Sequence, residues 1–236
     1  MSATGLRAVF FDVGNTLLYA SPSVSEVCRK VLQDAGHAHD LSLIESYMPL
    51  VDAYYEERYA EDDAFWTDDG RTTSVWIGMY SLLCRKLGIE EEAVTIARRV
   101  YDEFGLPDRW ALYDDVLPAF ERLRDRGIAI GIISNWDSRL VRILTGLGLG
   151  EILADIVSSA DVRLHKPDPR IFELACERIG VAPQEAAHVG DHHYADYLGA
   201  SALGMKAVLI DRHGLDADHG VAPIETLDSL DAELGL

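Results

Sequence analysis

The stretch Phe10-Phe11-Asp12-Val13-Gly14-Asn15-Thr16-Leu17 decides how this chain is read. Arg7 to Phe11 is apolar almost throughout, which predicts a short buried strand of the kind a covered parallel sheet requires. Asp12 then falls at the strand's carboxyl end, where the crevices of open α/β sheets bind ligands. Gly14 frees the backbone for a sharp turn, and Thr16 can steady that turn with a hydroxyl hydrogen bond. Taken alone, the stretch reads more simply as an aspartate that ends a strand and accepts a bond from a turn amide.

Three later segments change that reading. Ala129-Ile130-Gly131-Ile132-Ile133 is a second apolar strand and delivers Ser134 and Asn135 at its end. A third, Ile156-Val157-Ser158, precedes His165-Lys166-Pro167-Asp168-Pro169. Pro167 biases Lys166 away from helical geometry, so the lysine belongs to a loop, and Asp168 is placed to cap a helix that has Pro169 at its first position. A fourth strand, Ala187-His188-Val189, leads into Gly190-Asp191-His192-His193-Tyr194-Ala195-Asp196. Each polar group arrives at a strand end, so all can converge on one edge of one sheet. Acids, a hydroxyl and a lysine gathered there describe a phosphate and metal site.

In order, spacing and surroundings, Asp12–Thr16, Ser134-Asn135, Lys166-Pro167 and Gly190-Asp191 with Asp196 resemble the motifs of the haloacid dehalogenase-like (HAD) hydrolase superfamily. The resemblance extends over nearly the whole chain, and the run from His188 to Met205 is most similar to a REG-2-like branch. It implies an α/β fold: a doubly wound, parallel, Rossmann-like sheet core with an inserted all-helical cap. It also implies that Asp12 is a nucleophile that forms an aspartyl-phosphate, splitting one hard step into two. Ser134 through its hydroxyl, and Asn135 chiefly through its backbone N–H, would bind phosphoryl oxygens. Lys166 would neutralise the nucleophile and the developing charge. The implied Mg²⁺ ligands are Asp12, the Gly14 carbonyl and Asp191, with Asp196 holding a metal-bound water. Hard oxygen donors of this kind suit Mg²⁺.

The chain departs from the pattern at Gly14. Phosphatases of the superfamily carry a second aspartate two residues after the nucleophile, as general acid and base, and here that position has no side chain. Such help is worth ~10²–10⁴-fold, so a slow enzyme is expected. His192 and His193 read as loop residues. Together with Asn15 and Asp137 they are the remaining candidates for the missing proton carrier.

Elsewhere the chain alternates between two regimes. Residues 1–20 and 107–236 hold the apolar strands and read as the α/β core; residues 21–106 read as the helical cap. In the latter, Ser23 and Glu26 form a capping-box pair ahead of an apolar stripe, Val24, Val27, Cys28, Val31 and Leu32. Val75, Met79, Leu82, Leu83 and Leu87 form a second stripe, and Ala93, Ile96, Ala97 and Val100 a third. The aromatic-rich segment from Tyr54 to Trp76 reads as packing for a small helical core rather than as a substrate-facing surface.

The 236 residues suit one core plus an insertion. Forty acidic residues against 21 basic ones give a formal charge of −19, which disfavours nucleic acid and anionic membrane surfaces as partners. Cys28, Cys84 and Cys176 are odd in number and lack a CxxC pair, against a disulfide framework or zinc site. No apolar run has signal or membrane-helix length, so a cytoplasmic location is expected. The leading expectation is hydrolysis of a small phosphorylated metabolite. Carbon–halogen hydrolysis ranks second, because family dehalogenases lack the second aspartate but do not keep the Gly-Asp-x4-Asp acids. Phosphonate cleavage relies on a cap lysine, for which only Lys30 and Lys86 are available, and ranks third. A non-catalytic phosphate- and metal-binding protein is the reading from another class.

Overall fold

The computed structural model describes residues 5–214 and 220–236; residues 1–4 and 215–219 of the stretches assigned to the core lie outside them. In chain order the elements are β1 (Ala8–Phe11), β2 (Leu18–Ala20), α1 (Val24–Asp34), α2 (Leu41–Glu61), α3 (Asp69–Lys86), α4 (Ala93–Glu103), β3 (Trp110–Leu112), α5 (Val116–Asp125), β4 (Ala129–Ser134), α6 (Leu140–Gly146), β5 (Asp155–Ser158), α7 (Ser159–Val162), α8 (Pro169–Ile179), β6 (Ala186–Gly190), α9 (Gly199–Ala202), β7 (Lys206–Leu209) and α10 (Leu230–Leu234).

Among the described residues, five parallel strands pair in the order β5-β4-β1-β6-β7. The chain runs outward from β1 through β4 to β5, then returns to lay β6 and β7 on the other side. Strand β1 is therefore central, flanked by β4 and β6, and its carboxyl end is the switch point where such sheets bind ligands. Its side chains alternate between two cores, as strand geometry dictates. Val9 and Phe11 pack with α5, α6 and α10, while Ala8 and Phe10 pack with α8 and α9. Burial on both faces explains the continuous apolar run.

Between β2 and β3 lie the helices α1 to α4, which enclose a separate apolar cluster including Cys28, Ile44, Leu83 and Ile96. The capping box at Ser23 and Glu26 is present, and α1 and α4 carry their expected stripes. On α3 only Met79 and Leu83 of the expected stripe are buried, Leu87 lies just past the helix end, and Ile77, Tyr80 and Cys84 complete the buried face. Helix α2 was not singled out by its pattern. It has an internal Pro49 and few fully buried residues, Ile44 and Val51, so no single apolar stripe marks it. Strands β2 and β3 form an antiparallel ribbon, with Leu18 opposite Leu112 and Ala20 opposite Trp110, where the chain leaves and re-enters the core.

The helical unit is also tied to the core elsewhere. Ser138 donates from its backbone N–H and hydroxyl to Asp69 at 2.9 and 2.7 Å. The Ser159 hydroxyl donates to the Trp66 carbonyl at 2.8 Å, and His165 meets Asp63 at 3.1 Å.

Glycine in β4 has a packing cause. Gly131 lies opposite Phe10, and a Cβ there would meet the Phe10 ring at 2.6 Å. Overpacking of this kind typically costs about 1–3 kcal/mol. Gly131→Ala should lower unfolding stability by about that amount with an unchanged urea m-value, measured by equilibrium denaturation.

Candidate active site

Asp12 leaves β1 with its backbone N–H donated to the Val189 carbonyl at 2.8 Å, which fixes the carboxylate at the sheet edge. The chain then doubles back, Leu17 and Leu18 both donating to the Val13 carbonyl. The positive φ that this turn requires, 51°, falls on Asn15 rather than Gly14. Asparagine tolerates that region, so the turn does not depend on glycine. A Cβ on Gly14 would lie 3.5 Å from the Trp136 ring, an ordinary contact. The Thr16 hydroxyl, expected to steady the turn, has no hydrogen-bond partner among the described residues; the Thr16 carbonyl instead accepts from Arg212 at 2.7 Å.

The other strand ends bring the remaining groups to Asp12. The Ser134 hydroxyl, at the end of β4, donates to Asp12 Oδ1 at 3.0 Å. Lys166 donates from Nζ to Asp12 Oδ1 at 2.5 Å and to Asp196 Oδ1 at 2.6 Å. Its backbone is clamped by the Asn135 side chain: Asn135 Oδ1 accepts from the Lys166 N–H at 2.8 Å and Nδ2 donates to its carbonyl at 3.0 Å. The Asn135 carboxamide thus positions the lysine at the cavity wall that Asn135 also lines. Asp168 caps α8 through the Arg170 N–H, with Pro169 in the first helical position.

Asp196 reaches the site on a π-helical turn, His193–Leu198, directly after β6. Gly190 is required there, since a Cβ would lie 2.2 Å from the Asp196 carboxyl carbon. Asp196 also accepts from the His192 backbone N–H at 3.0 Å and pairs with His188 Nε2 at 2.8 Å. His188, buried within β6, was read only as part of a strand. Its one signal was an imidazole inside an otherwise apolar run.

The electrostatics follow from burial against pairing. Burial raises the Asp12 carboxyl above its ordinary value, against the pull of the Lys166 ammonium. Burial alone would also raise Asp196, but Lys166 and His188 outweigh it and hold it below the usual carboxylate range. Burial would lower the Lys166 ammonium, yet Asp12 and Asp196 more than offset this and keep it charged. Burial lowers His188, which favours the neutral ring donating from Nε2 to Asp196. Burial, with the charges of Asp12 and Asp196, pushes Asp191 well up, against the pull of the Lys166 ammonium.

Oxygens of Asp12, Asp191 and Asp196 come within 4.8 Å of one another. One ammonium among three acids leaves negative charge uncompensated. Such an oxygen-only set fits a hard divalent cation such as Mg²⁺.

Of the four candidates for the missing proton carrier, Asn15, Asp137 and His192 line the cavity above Asp12 and His193 does not. Asp137 pairs with the Arg139 guanidinium at 2.6 Å and accepts from the Tyr101 hydroxyl at 3.0 Å. His192 accepts at Nδ1 from the Ala195 N–H, and its ring packs on Tyr59. His193 stacks on Tyr197 at 5.6 Å. Above Asp12 opens a cavity of about 620 Å³. Tyr55, Tyr59, Trp66 and Trp76 line it, so the aromatic segment expected to serve only as packing also faces the site. Lys30 pairs with Asp34 on the outer surface, and neither it nor Lys86 lines the cavity.

A model of the haloacid dehalogenase-like hydrolase family matches residues 6–204. The chain belongs to this family. It is 40% identical over 211 residues to haloacid dehalogenase-like hydrolase domain-containing protein 3 of Mus musculus, covering 87% of this chain and 82% of that one. It is 34% identical to (S)-2-haloacid dehalogenase 4A of Burkholderia cepacia, over 93% of this chain and 89% of that one. Among solved structures, a HAD phosphatase from Thermococcus onnurineus aligns with a TM-score of 0.67 over 98% of both chains at 27% identity. Relatives named for phosphorus and for carbon–halogen chemistry are thus both similar to this HAD hydrolase. Among the described residues, no helix is long and apolar enough to cross a membrane.

Removing Lys166 isolates the strength of its pairing. Lys166→Met leaves Asp12 and Asp196 buried without their counter-ion, which costs about 3–5 kcal/mol for a broken buried pair. The low end, about 3 kcal/mol, is expected because Asp12 faces the cavity and water reaches it. In the variant both acids would sit above their unfolded values. The deficit should therefore be full at neutral pH and shrink as pH falls and they protonate. Urea denaturation in EDTA at pH 7 and pH 5 measures both.

Proposed function

We propose that this chain is an Mg²⁺-dependent phosphoryl hydrolase acting on a small phosphorylated metabolite through an aspartyl-phosphate on Asp12. The observation that carries the reading is the convergence of Asp12, Asp191 and Asp196 on the Lys166 ammonium at the mouth of one cavity. An Asp12 carboxylate oxygen attacks phosphorus, and the bond to the leaving oxygen breaks with its electron pair going to that oxygen. Water then attacks the phosphorus of the aspartyl-phosphate, the bond to Asp12 breaks, and inorganic phosphate is released. Ser134, the Asn135 backbone N–H and Lys166 stabilise charge on the phosphoryl oxygens. Asp12, the Gly14 carbonyl and Asp191 would hold Mg²⁺, with Asp196 supporting the site. The bound ion would supply charge neutralisation between carboxylate and phosphate. Residues 21–106 act as a cap over a core formed by 1–20 and 107–236. The three buried free cysteines accord with a reducing cytoplasm.

Phosphorus chemistry is favoured over dehalogenation by the acidic cluster. Asp12, Asp191 and Asp196 lie close enough together to share one cation, and family dehalogenases, which are metal-independent, do not keep the Gly-Asp-x4-Asp acids. A second reading, a phosphate- and metal-binding protein without turnover, is favoured by one observation, Gly14.

If the acidic cluster holds Mg²⁺, millimolar Mg²⁺ should raise the melting temperature, by the equivalent of about 2.7 kcal/mol at a hundredfold excess over Kd. Asp191→Asn should remove most of that shift. A melting curve indifferent to Mg²⁺ counts against the site.

Asp12→Asn should abolish phosphate release while the fold persists. Because Asn15 carries the positive φ, Gly14→Asp should melt close to the parent. It should also accelerate hydrolysis of alkyl phosphates, by up to ~10²–10⁴-fold. A folded Gly14→Asp protein that gains no activity on any phosphate ester would support the binding-protein reading.

A further inference from the structure

We propose, resting on the phosphoryl-transfer reading above, that the substrate is a phosphate monoester of an aromatic alcohol with no second anionic group, its ring seated in the cavity above Asp12. The cavity wall is aromatic and continuous. Tyr55 stacks on Trp76 with ring centroids 6.1 Å apart, Trp76 on Tyr80 at 6.3 Å and Tyr80 on Phe104 at 6.2 Å. Trp66 lies edge-on to Trp76, and Phe104 contacts Trp110. Tyr55 and Trp76 are only partly buried, and both line the cavity. About 620 Å³ lies within the range of small-molecule pockets and accommodates one or two fused rings beyond the phosphoryl group.

Charge narrows the class further. Helix α2 contributes Asp52 and Glu56 to the lining, both exposed at its edge. Among the described residues, the lysine and arginine side chains that line the cavity are Lys166, shared between Asp12 and Asp196, and Arg139, held by Asp137 and by the Tyr101 carbonyl. A carboxylate or second phosphate on the leaving group would therefore meet like charge at the edge and no free cation inside.

Gly14 supplies an independent argument. With no acid at that position, the leaving oxygen must depart as its anion, taking the electron pair of the broken P–O bond and a proton from solvent afterwards. A phenol does this at a pKa of about 10, whereas an alkanol lies near water, at about 15.7. An aromatic alcohol relieves the loss of the acid and matches the walls that receive it.

Trp66, Trp76, Trp110 and Trp136 are all four tryptophans of the chain, and all line the cavity, so intrinsic fluorescence reports occupancy without requiring turnover. Titration with Mg²⁺ and phenylphosphonate, methylphosphonate or phosphonoacetate is the test. Phenylphosphonate should bind at least ~10-fold tighter than methylphosphonate, as burial of a phenyl ring predicts, and phosphonoacetate weakest of the three. Trp76→Ala should erase most of the phenyl preference. The exposed charge reversal Asp52→Lys, which does not depend on core packing, should strengthen phosphonoacetate binding several-fold relative to phenylphosphonate. Methylphosphonate binding as tightly as phenylphosphonate, or phosphonoacetate more tightly, overturns the assignment. Phosphate release from phenyl phosphate is followed in parallel. The predicted binding order without any hydrolysis upholds the cavity assignment and overturns the enzymatic reading. Failure of all three phosphonates to bind overturns the phosphoryl site, and this inference with it.

Discussion

The Lys166 ammonium lies between two buried carboxylates, and much of the molecule is arranged to keep it there. A lysine 2% exposed would ordinarily lose its proton; here Asp12 and Asp196 hold the charge on it. In turn it lets both acids remain near one another at a sheet edge. The Asn135 carboxamide fixes its backbone, Gly190 makes room for Asp196, and His188 braces the far side of that carboxylate. Three acids around one ammonium still leave an excess of negative charge. A structural ion pair would be balanced, and the excess accords with the cation and anionic ligand proposed for the site.

The sheet explains why such distant residues meet. Asp12, Ser134, Lys166 and Asp191 are spread over 180 positions, yet each follows a strand or the loop beyond it, and parallel strands align their carboxyl ends by construction. The helical unit then closes the open side. Its contacts with the core, through Asp69, Trp66, Asp63 and Tyr101, fall on Ser138, Ser159, His165 and Asp137, all beyond the carboxyl ends of β4 and β5. The cavity is thus bounded below by carboxylates and above by aromatic rings, and a ligand must satisfy both.

Gly14 is the point at which family membership and this chain's own chemistry part. HAD relatives act on phosphorus or on carbon–halogen bonds, so likeness alone leaves the reaction class open. The local structure is more specific. The turn does not need glycine, since the left-handed residue is its neighbour Asn15. The missing side chain is therefore a chemical difference and not a backbone requirement.

Much of this was legible in the sequence. The central strands, the loop position of Lys166, the Asp168 cap and the Ser23–Glu26 capping box depend on local patterns: apolar runs, proline geometry and cap chemistry act within a few residues. Other features had no such signal. Strands β2 and β3 are three residues each and exist because they pair across the insertion. Strand β7, beginning at the exposed Lys206, carries too short an apolar run to stand out. Helix α2 lacked a single stripe because it is partly apolar towards the helical core and partly towards the cavity. His188 looked like any strand residue until Asp196 came back to it. The sequence by itself determined which chemical groups sit at strand ends, because hydrophobic periodicity and turn residues are local. Only the tertiary structure decided which of them touch, which are neutralised and which rings face the cavity, because burial and charge pairing depend on residues that are distant along the chain.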